Sequence, residues 1–207
     1  MKRLKLIFCL LCLCCSLTEA KEVQVDAQKE VDEMTGRLVA SYLEAKVDED
    51  VIAGYATALR SDGSFPDLDY ITVHEGSFYP AGSHLKRLKS MAIAYRKPGN
   101  KYYNSGKLLK QIVAGIDYWY KVRPKSGNWW FGDIGAPQDY MVPLILLKGK
   151  ISEKKLLHYS SYLRDLTGNK GHKGKNRTWV SAVTIHKGCI EDNIELIRTG
   201  IKSIAST

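Results

Sequence analysis

Apolar residues recur at spacings of three and four along nearly the whole chain beyond its first twenty residues. Val31, Met34, Leu38, Val39 and Leu43 form one stripe, and Ile52, Tyr55, Ala56 and Leu59 a second. Leu85, Leu88, Met91, Ala92 and Tyr95 make a third, and Leu108, Leu109, Ile112, Val113, Ile116 and Tyr120 a fourth. This periodicity places each set on one face of an α-helix. Two shorter helices are expected, from about Gln138 to Leu147 and from Glu153 to Leu166. The stretch from Asn176 to Ile204 reads as two helices that break near Gly188 to Asp192. Strand-like alternation is confined to a few residues around Tyr70 to Val73. The expected fold is therefore all-α, with helix pairs suited to a stacked or toroidal arrangement.

The breaks between stripes carry turn chemistry. Ser61-Asp62-Gly63-Ser64-Phe65-Pro66 and Lys97-Pro98-Gly99-Asn100 are rich in Gly, Pro and small polar residues. Arg123-Pro124-Lys125-Ser126-Gly127-Asn128 ends the fourth helix. Residues 167–175 form the richest loop, with Gly168, Gly171 and Gly174 interleaved with Lys170, Lys173 and Lys175.

The N-terminus departs from this rhythm. Lys2, Arg3 and Lys5 precede an apolar run from Leu6 to Leu17, which is followed by Thr18-Glu19-Ala20. A basic head, a short apolar stretch and a small-residue exit describe a secretory signal peptide, expected to be cleaved after Ala20. The run is too short for a permanent span, which needs about 20 apolar residues. Lipid attachment at Cys15 is the alternative, although Cys12-Leu13-Cys14 lacks the small residues expected before such a site. Export and cleavage leave residues 21–207 as the mature chain, with no permanent membrane span.

That reading changes the composition. The 207 residues carry 31 Lys+Arg and 22 Asp+Glu, a net charge of +9. Losing three cations and Glu19 with the leader lowers it to +7. Four of the five cysteines (Cys9, Cys12, Cys14 and Cys15) fall in the leader, so Cys189 alone remains and no internal disulfide is possible. An apolar share of 44% with 26% charged residues is that of a globular chain, which excludes disorder and a collagen-like fibre. The positive charge points to an acidic partner. No nucleic-acid motif accompanies it, and export argues against that partner. No metal-ligand set and no cofactor is implied, and nothing in the sequence sets an oligomeric state.

Two loops carry candidate chemistry. In Asn128-Trp129-Trp130-Phe131-Gly132-Asp133-Ile134-Gly135-Ala136-Pro137 the three consecutive aromatics cannot share one core stripe. At least one ring should face solvent or a cleft, where a flat aromatic face beside amides suits a sugar ring. Core packing of one Trp, with its neighbour covering a helix end, is the competing expectation. The second segment, from Gly168 to Asn176, runs into a helix expected to start near Arg177. The helix N-terminus together with Lys170, Lys173, Lys175 and Arg177 would suit a carboxylate or sulfate. Asn176 occupies the position expected of an N-cap, which is its simplest explanation.

Asn128-Trp129-Trp130 with Asp133-Ile134-Gly135-Ala136-Pro137, followed by Thr167-Gly168 and Gly174-Lys175-Asn176-Arg177-Thr178-Trp179, resembles the family-8 polysaccharide lyases. The resemblance runs from roughly Ser41 to the C-terminus. It implies part of an incomplete (α/α) toroid of paired antiparallel helices, lacking the toroid's C-terminal half and the β-sandwich module. It also implies β-elimination on a uronate-containing acidic polysaccharide, with Trp129 and Trp130 guiding the glycan beside Asn128 and Arg177. Asn176 is then the catalytic residue that neutralises the uronate carboxylate. Hydrogen bonding there stabilises the enolate formed when the C5 proton leaves and the C4–O bond breaks. The family's His and Tyr lie beyond residue 207, so the chain is expected to be catalytically incomplete as it stands. His172, His186 and His158 are expected to be surface or packing residues rather than substitutes. The alternative is a secreted helical protein that binds glycans without cleaving them.

Overall fold

The structure, a computed structural model, describes residues 25–167 and 171–206, and all regular structure among them is helical. The leader and residues 168–170 of the Lys/Gly-rich loop lie outside the described residues. Helix α1 spans 25–43, α2 Glu49–Ala58, α3 Gly82–Arg96 and α4 Gly106–Val122. Helix α5 covers Ala136–Leu146, α6 Glu153–Ser160, α7 Gly174–Ile190 and α8 Ile194–Ala205.

Local chemistry sets several helix starts. The Asp48 carboxylate accepts from the N–H groups of Asp50 and Val51, both at 3.1 Å, and opens α2. Ser105 does the same for α4 through Leu108 N–H at 3.3 Å, and Asn193 for α8 through Leu196 N–H at 3.2 Å. Each such cap satisfies one or two of the donors a helix leaves unpaired, and contributes about 1 kcal/mol.

The apolar stripes then dictate the packing. Helix α3 lies against α5, α5 against α7, and α7 against α8, while α2 and α4 flank α3. Leu85, Leu88, Met91, Ile112, Ile116, Trp119, Tyr140 and Leu144 are buried in one continuous core. Burying each large apolar side chain contributes about 1.5–3 kcal/mol. Helices α7 and α8 approach closely because Gly200 faces α7. A Cβ there would lie 2.9 Å from the Ser181 carbonyl oxygen.

Two buried histidines pin peripheral segments to this core. The Gly115 carbonyl can only accept, so His84 donates to it through Nε2 at 2.9 Å. That tautomer leaves His84 Nδ1 to accept from the Tyr70 hydroxyl at 2.9 Å, and Tyr70 in turn accepts from Phe65 N–H at 3.0 Å. The irregular stretch 59–81 is thereby fastened to α3 and α4. By the same reasoning His186 donates from Nδ1 to the Ala182 carbonyl and accepts at Nε2 from Tyr42, joining α7 to α1. Burial holds both imidazoles neutral, with His84 pushed down to about 4 and His186 also lowered.

Several sequence expectations are corrected. Asn128–Pro137 is not a loop. Helical structure begins at Trp129 and includes a π turn at Phe131–Gly135 that leads directly into α5. The helix expected to Leu166 stops at Ser160. In keeping with the all-α expectation, the brief alternation around residues 70–73 builds no strand: residues 70–72 form bends, with Asp69 accepting from Ile71 and Thr72 N–H at 2.9 and 3.0 Å. Helix α7 starts at Gly174 rather than near Arg177, so Asn176 sits in its first turn and is not the N-cap.

Candidate functional site

The two motifs, about 40 positions apart in the chain, meet in space. Asn128 organises the first of them. Its side-chain oxygen accepts from Trp130 N–H at 3.0 Å, and its amide donates to the Gly76 carbonyl at 2.9 Å. Asn128 therefore caps the helical segment that displays the tryptophans. The π turn follows at once, with Ala136 N–H bonded to the Phe131 carbonyl. An extra residue in a helical turn re-aims the side chains before it, and such turns are frequent at functional sites. Gly135 makes room for this, since a Cβ there would sit 2.6 Å from the Trp130 ring.

The tryptophans take different roles. Trp129 is 54% exposed and lies flat against the His172 imidazole, with ring centroids 5.4 Å apart and planes within 13°. Trp130 is half-buried and meets Trp179 of α7 edge-on at 5.5 Å. The expectation that one ring would face outward is thus met by Trp129, while Trp130 joins the π turn to α7.

Polar contacts hold the two segments in register. Arg164 donates to Asp133 of the π turn at 2.6 Å. Next in sequence, Asp165 accepts from Lys187 of α7 at 2.9 Å and from Thr167 N–H at 2.8 Å. Burial works to raise the Asp165 pKa, but hydrogen bonds from Thr167 and Lys187 outweigh it and the carboxyl is held low. Leu166 N–H adds a bond to Thr184 at 3.0 Å. The chain entering the Lys/Gly-rich loop is thereby tied to α7 and to the π turn together.

Helix α7 starts without a side-chain cap at Lys173, so its first turn presents backbone N–H groups in the region of Lys173, Lys175 and Asn176. Asn176 is half-buried, and among the described residues its side chain makes no hydrogen bond. It precedes Trp179 by three positions, which places the two on the same face of α7. That face meets Trp130. Arg177 turns the other way, toward α8, and donates to Ser203 Oγ at 2.9 Å and Ser206 Oγ at 3.4 Å. Of the five predicted site residues, Trp129 and Trp130 meet His172 and Trp179 around the start of α7, whose first turn carries Asn176. Asn128 caps the segment that displays them, and Arg177 bonds toward α8.

Two contributors escaped sequence reasoning. His172 was expected to be a surface or packing residue, and its stacking on Trp129 depends on a contact that spacing does not reveal. Trp179 stood within the motif without a role, although a Trp one helical turn after Asn176 is a legible signal. Among the described residues, no group of three or more His, Cys, Asp or Glu is placed to hold a metal ion.

The paired helices thus set an aromatic platform beside the basic start of α7. The chain belongs to polysaccharide lyase family 8: residues 32–207 match its N-terminal alpha-helical domain. Chondroitinase-AC of Pedobacter heparinus is 29% identical over 148 residues, covering 70% of this chain and 21% of that enzyme. Hyaluronate lyase HylB of Enterococcus faecalis is 34% identical over 112 residues, or 48% of this chain and 11% of that one. A chondroitinase AC lyase solved in oligosaccharide complexes superimposes with a TM-score of 0.75 at 24% identity, over 84% of this chain and 26% of that one. The Streptomyces coelicolor A3 chondroitin AC lyase in complex with chondroitin sulphate gives 0.72 at 15% identity, over 86% and 27%. These likenesses establish the fold as part of the lyases' helical domain. The chain spans about a fifth of the length of the Pedobacter enzyme.

Proposed function

We propose that this domain supplies the glycan-binding and carboxylate-neutralising side of a polysaccharide lyase cleft that acts on uronate-containing chains by β-elimination. The observation that carries the reading is the convergence of Trp129, Trp130 and the α7 start bearing Asn176. Trp129 offers a sugar face its stacking surface, as in other aromatic–carbohydrate contacts. Asn176 can donate to a carboxylate without competing for the C5 proton. As that proton leaves, charge builds on the carboxylate, and a donor aimed there lowers the barrier. The relatives' names (chondroitinase, hyaluronate lyase and xanthan lyase) support an acidic polysaccharide as substrate. The net positive charge supports the same class.

The proton transfers are assigned to residues outside this stretch. His84 and His186 have both ring nitrogens committed to interior hydrogen bonds, so neither is available as a base. The basic start, apolar run and Ala20 exit support export of the protein. No helix among the described residues is long and apolar enough to cross a membrane.

Calorimetric titration with chondroitin, hyaluronan and xanthan oligosaccharides tests the reading. The 207-residue chain should bind uronate oligosaccharides, and Trp129→Ala should weaken binding about tenfold with helicity unchanged. Ultraviolet absorbance should show no unsaturated uronate product. Undiminished binding by Trp129→Ala would remove the platform, and clear turnover would overturn the assignment of proton transfer elsewhere.

A further inference from the structure

The π turn behind the tryptophans has little of its own to hold it. Phe131-Gly132-Asp133-Ile134-Gly135 closes on a bond from Ala136 N–H to the Phe131 carbonyl, and it contains two glycines. Ile134 is fully buried, and Phe131 meets Tyr79 with ring centroids 5.1 Å apart. Apolar anchors of this kind are non-directional. Asp133 is the one member of the turn with a polar side chain, and its carboxylate accepts from Arg164 Nη1 at 2.6 Å. Among the described residues, that ion pair is the directional side-chain tie on the turn.

Arg164 is itself anchored through its neighbour. Asp165 follows directly, and its carboxylate accepts from Lys187 of α7 at 2.9 Å, with both groups largely buried. Adjacent Cα atoms lie about 3.8 Å apart, so Arg164 and Asp165 form a short strap with the π turn on one side and α7 on the other. The strap joins the element that carries Trp129 and Trp130 to the helix that carries Asn176. Beyond the turn, α5 is fixed in the core by Ala136, Tyr140 and Leu144. Converting the π turn to plain α-helix would leave α5 in place and rotate the residues before it by about 100°, one helical position. Trp129 would then leave the His172 ring, with which it now lies within 13° of parallel.

We propose that Arg164, acting through Asp133, is a positioning residue that holds the π register and so aims Trp129 at the glycan. The inference rests on the glycan-binding reading above and adds the device that sets its geometry. The pair governs aim more than stability: the Arg164 side chain is 64% exposed and that of Asp133 27%, and exposed pairs add little to folding. A single guanidinium nitrogen meets the carboxylate, so a lysine can take its place.

The test compares the 207-residue chain with Arg164→Gln, Asp133→Asn and Arg164→Lys. It combines thermal melts, nuclear magnetic resonance of the free chains and calorimetric titration with chondroitin oligosaccharides. Arg164→Gln and Asp133→Asn should each melt within a few degrees of the parent and bind about fivefold more weakly. Both should also lose the ring-current shift that Trp129 imposes on the His172 ring protons. Arg164→Lys should keep the shift and the affinity, and combining Arg164→Gln with Asp133→Asn should add no further loss. Persistence of the shift or of the parent's affinity in Arg164→Gln, or failure of Arg164→Lys to preserve them, overturns the positioning role and leaves the platform standing. A loss of affinity accompanied by a steep fall in melting temperature marks a structural role and overturns it too. If the parent binds no oligosaccharide, the glycan-binding reading itself fails, and the aiming role with it.

Discussion

At the scale of single residues, the chemistry of this domain depends on which polar groups are committed and which are not. Asn128 spends its side chain on capping and on Gly76, whereas Asn176 keeps its amide clear of the described residues. The two asparagines look alike in the sequence, and only their helix positions separate them. Capping was the simplest expectation for Asn176; the cap position belongs to Lys173 because the helix begins at Gly174. Asn176→Ala should therefore cost little stability, less than the ~1 kcal/mol expected of a lost cap, while weakening uronate binding. A thermal melt beside a titration separates the two effects.

The buried histidines make a second residue-scale prediction. Burial lowers His84 from an ordinary value near 6.5 to about 4. In the unfolded chain it takes up a proton near 6.5, so the neutral, buried form contributes its full stability above that pH. The contribution is lost as pH falls from 6.5 toward 4, up to about 3 kcal/mol, and His186 adds in the same direction. Melting temperature should thus fall steeply across that window. Tyr70→Phe, which removes the hydroxyl between Phe65 N–H and His84, should lower stability by about 1–3 kcal/mol at neutral pH. A melt independent of pH between about 7 and 4 would contradict the buried neutral imidazoles.

At the scale of elements, the helices were legible because each buries one stripe, and the α7–α8 break fell where the periodicity placed it. The π turn was not legible. Phe131-Gly132-Asp133-Ile134-Gly135 has two glycines and an acid, which read as loop. Its helical form depends on the Asn128 cap, the Arg164–Asp133 pair and the room Gly135 leaves for Trp130. These are tertiary contacts that spacing does not report. The contact between Asp165 and Lys187 is of the same kind, and both groups are largely buried. Asp165→Asn should destabilise the domain by about 3 kcal/mol by leaving Lys187 without its counter-charge, and should loosen the approach to α7. Hydrogen exchange at Leu166 and Thr167 would report it. Gly200→Ala presses a Cβ toward the Ser181 carbonyl and Ile185, and should cost about 1–3 kcal/mol in a denaturant melt.

At the scale of the whole molecule, the sequence motifs identified the family and the fold, and the structure explains how they cooperate. The tandem tryptophans and the α7 start are far apart in the chain and gain meaning only when α5 packs on α7. His172 belongs to neither motif's expected roles, yet its ring stacks on Trp129 and joins the approach of α7 to the aromatic platform. Residues 168–170, part of the loop singled out for anion binding, lie outside the described residues, so that part of the expectation rests on sequence alone. The central claim is that a uronate glycan lies across Trp129 and the Asn176 face of α7. The most direct measurement is nuclear magnetic resonance of the 207-residue chain titrated with a uronate oligosaccharide. The indole N–H of Trp129 and the side-chain amide of Asn176 should shift together along one binding curve, while the buried indole of Trp119 stays fixed. Saturable binding that leaves both the Trp129 and Asn176 signals unmoved would contradict the account.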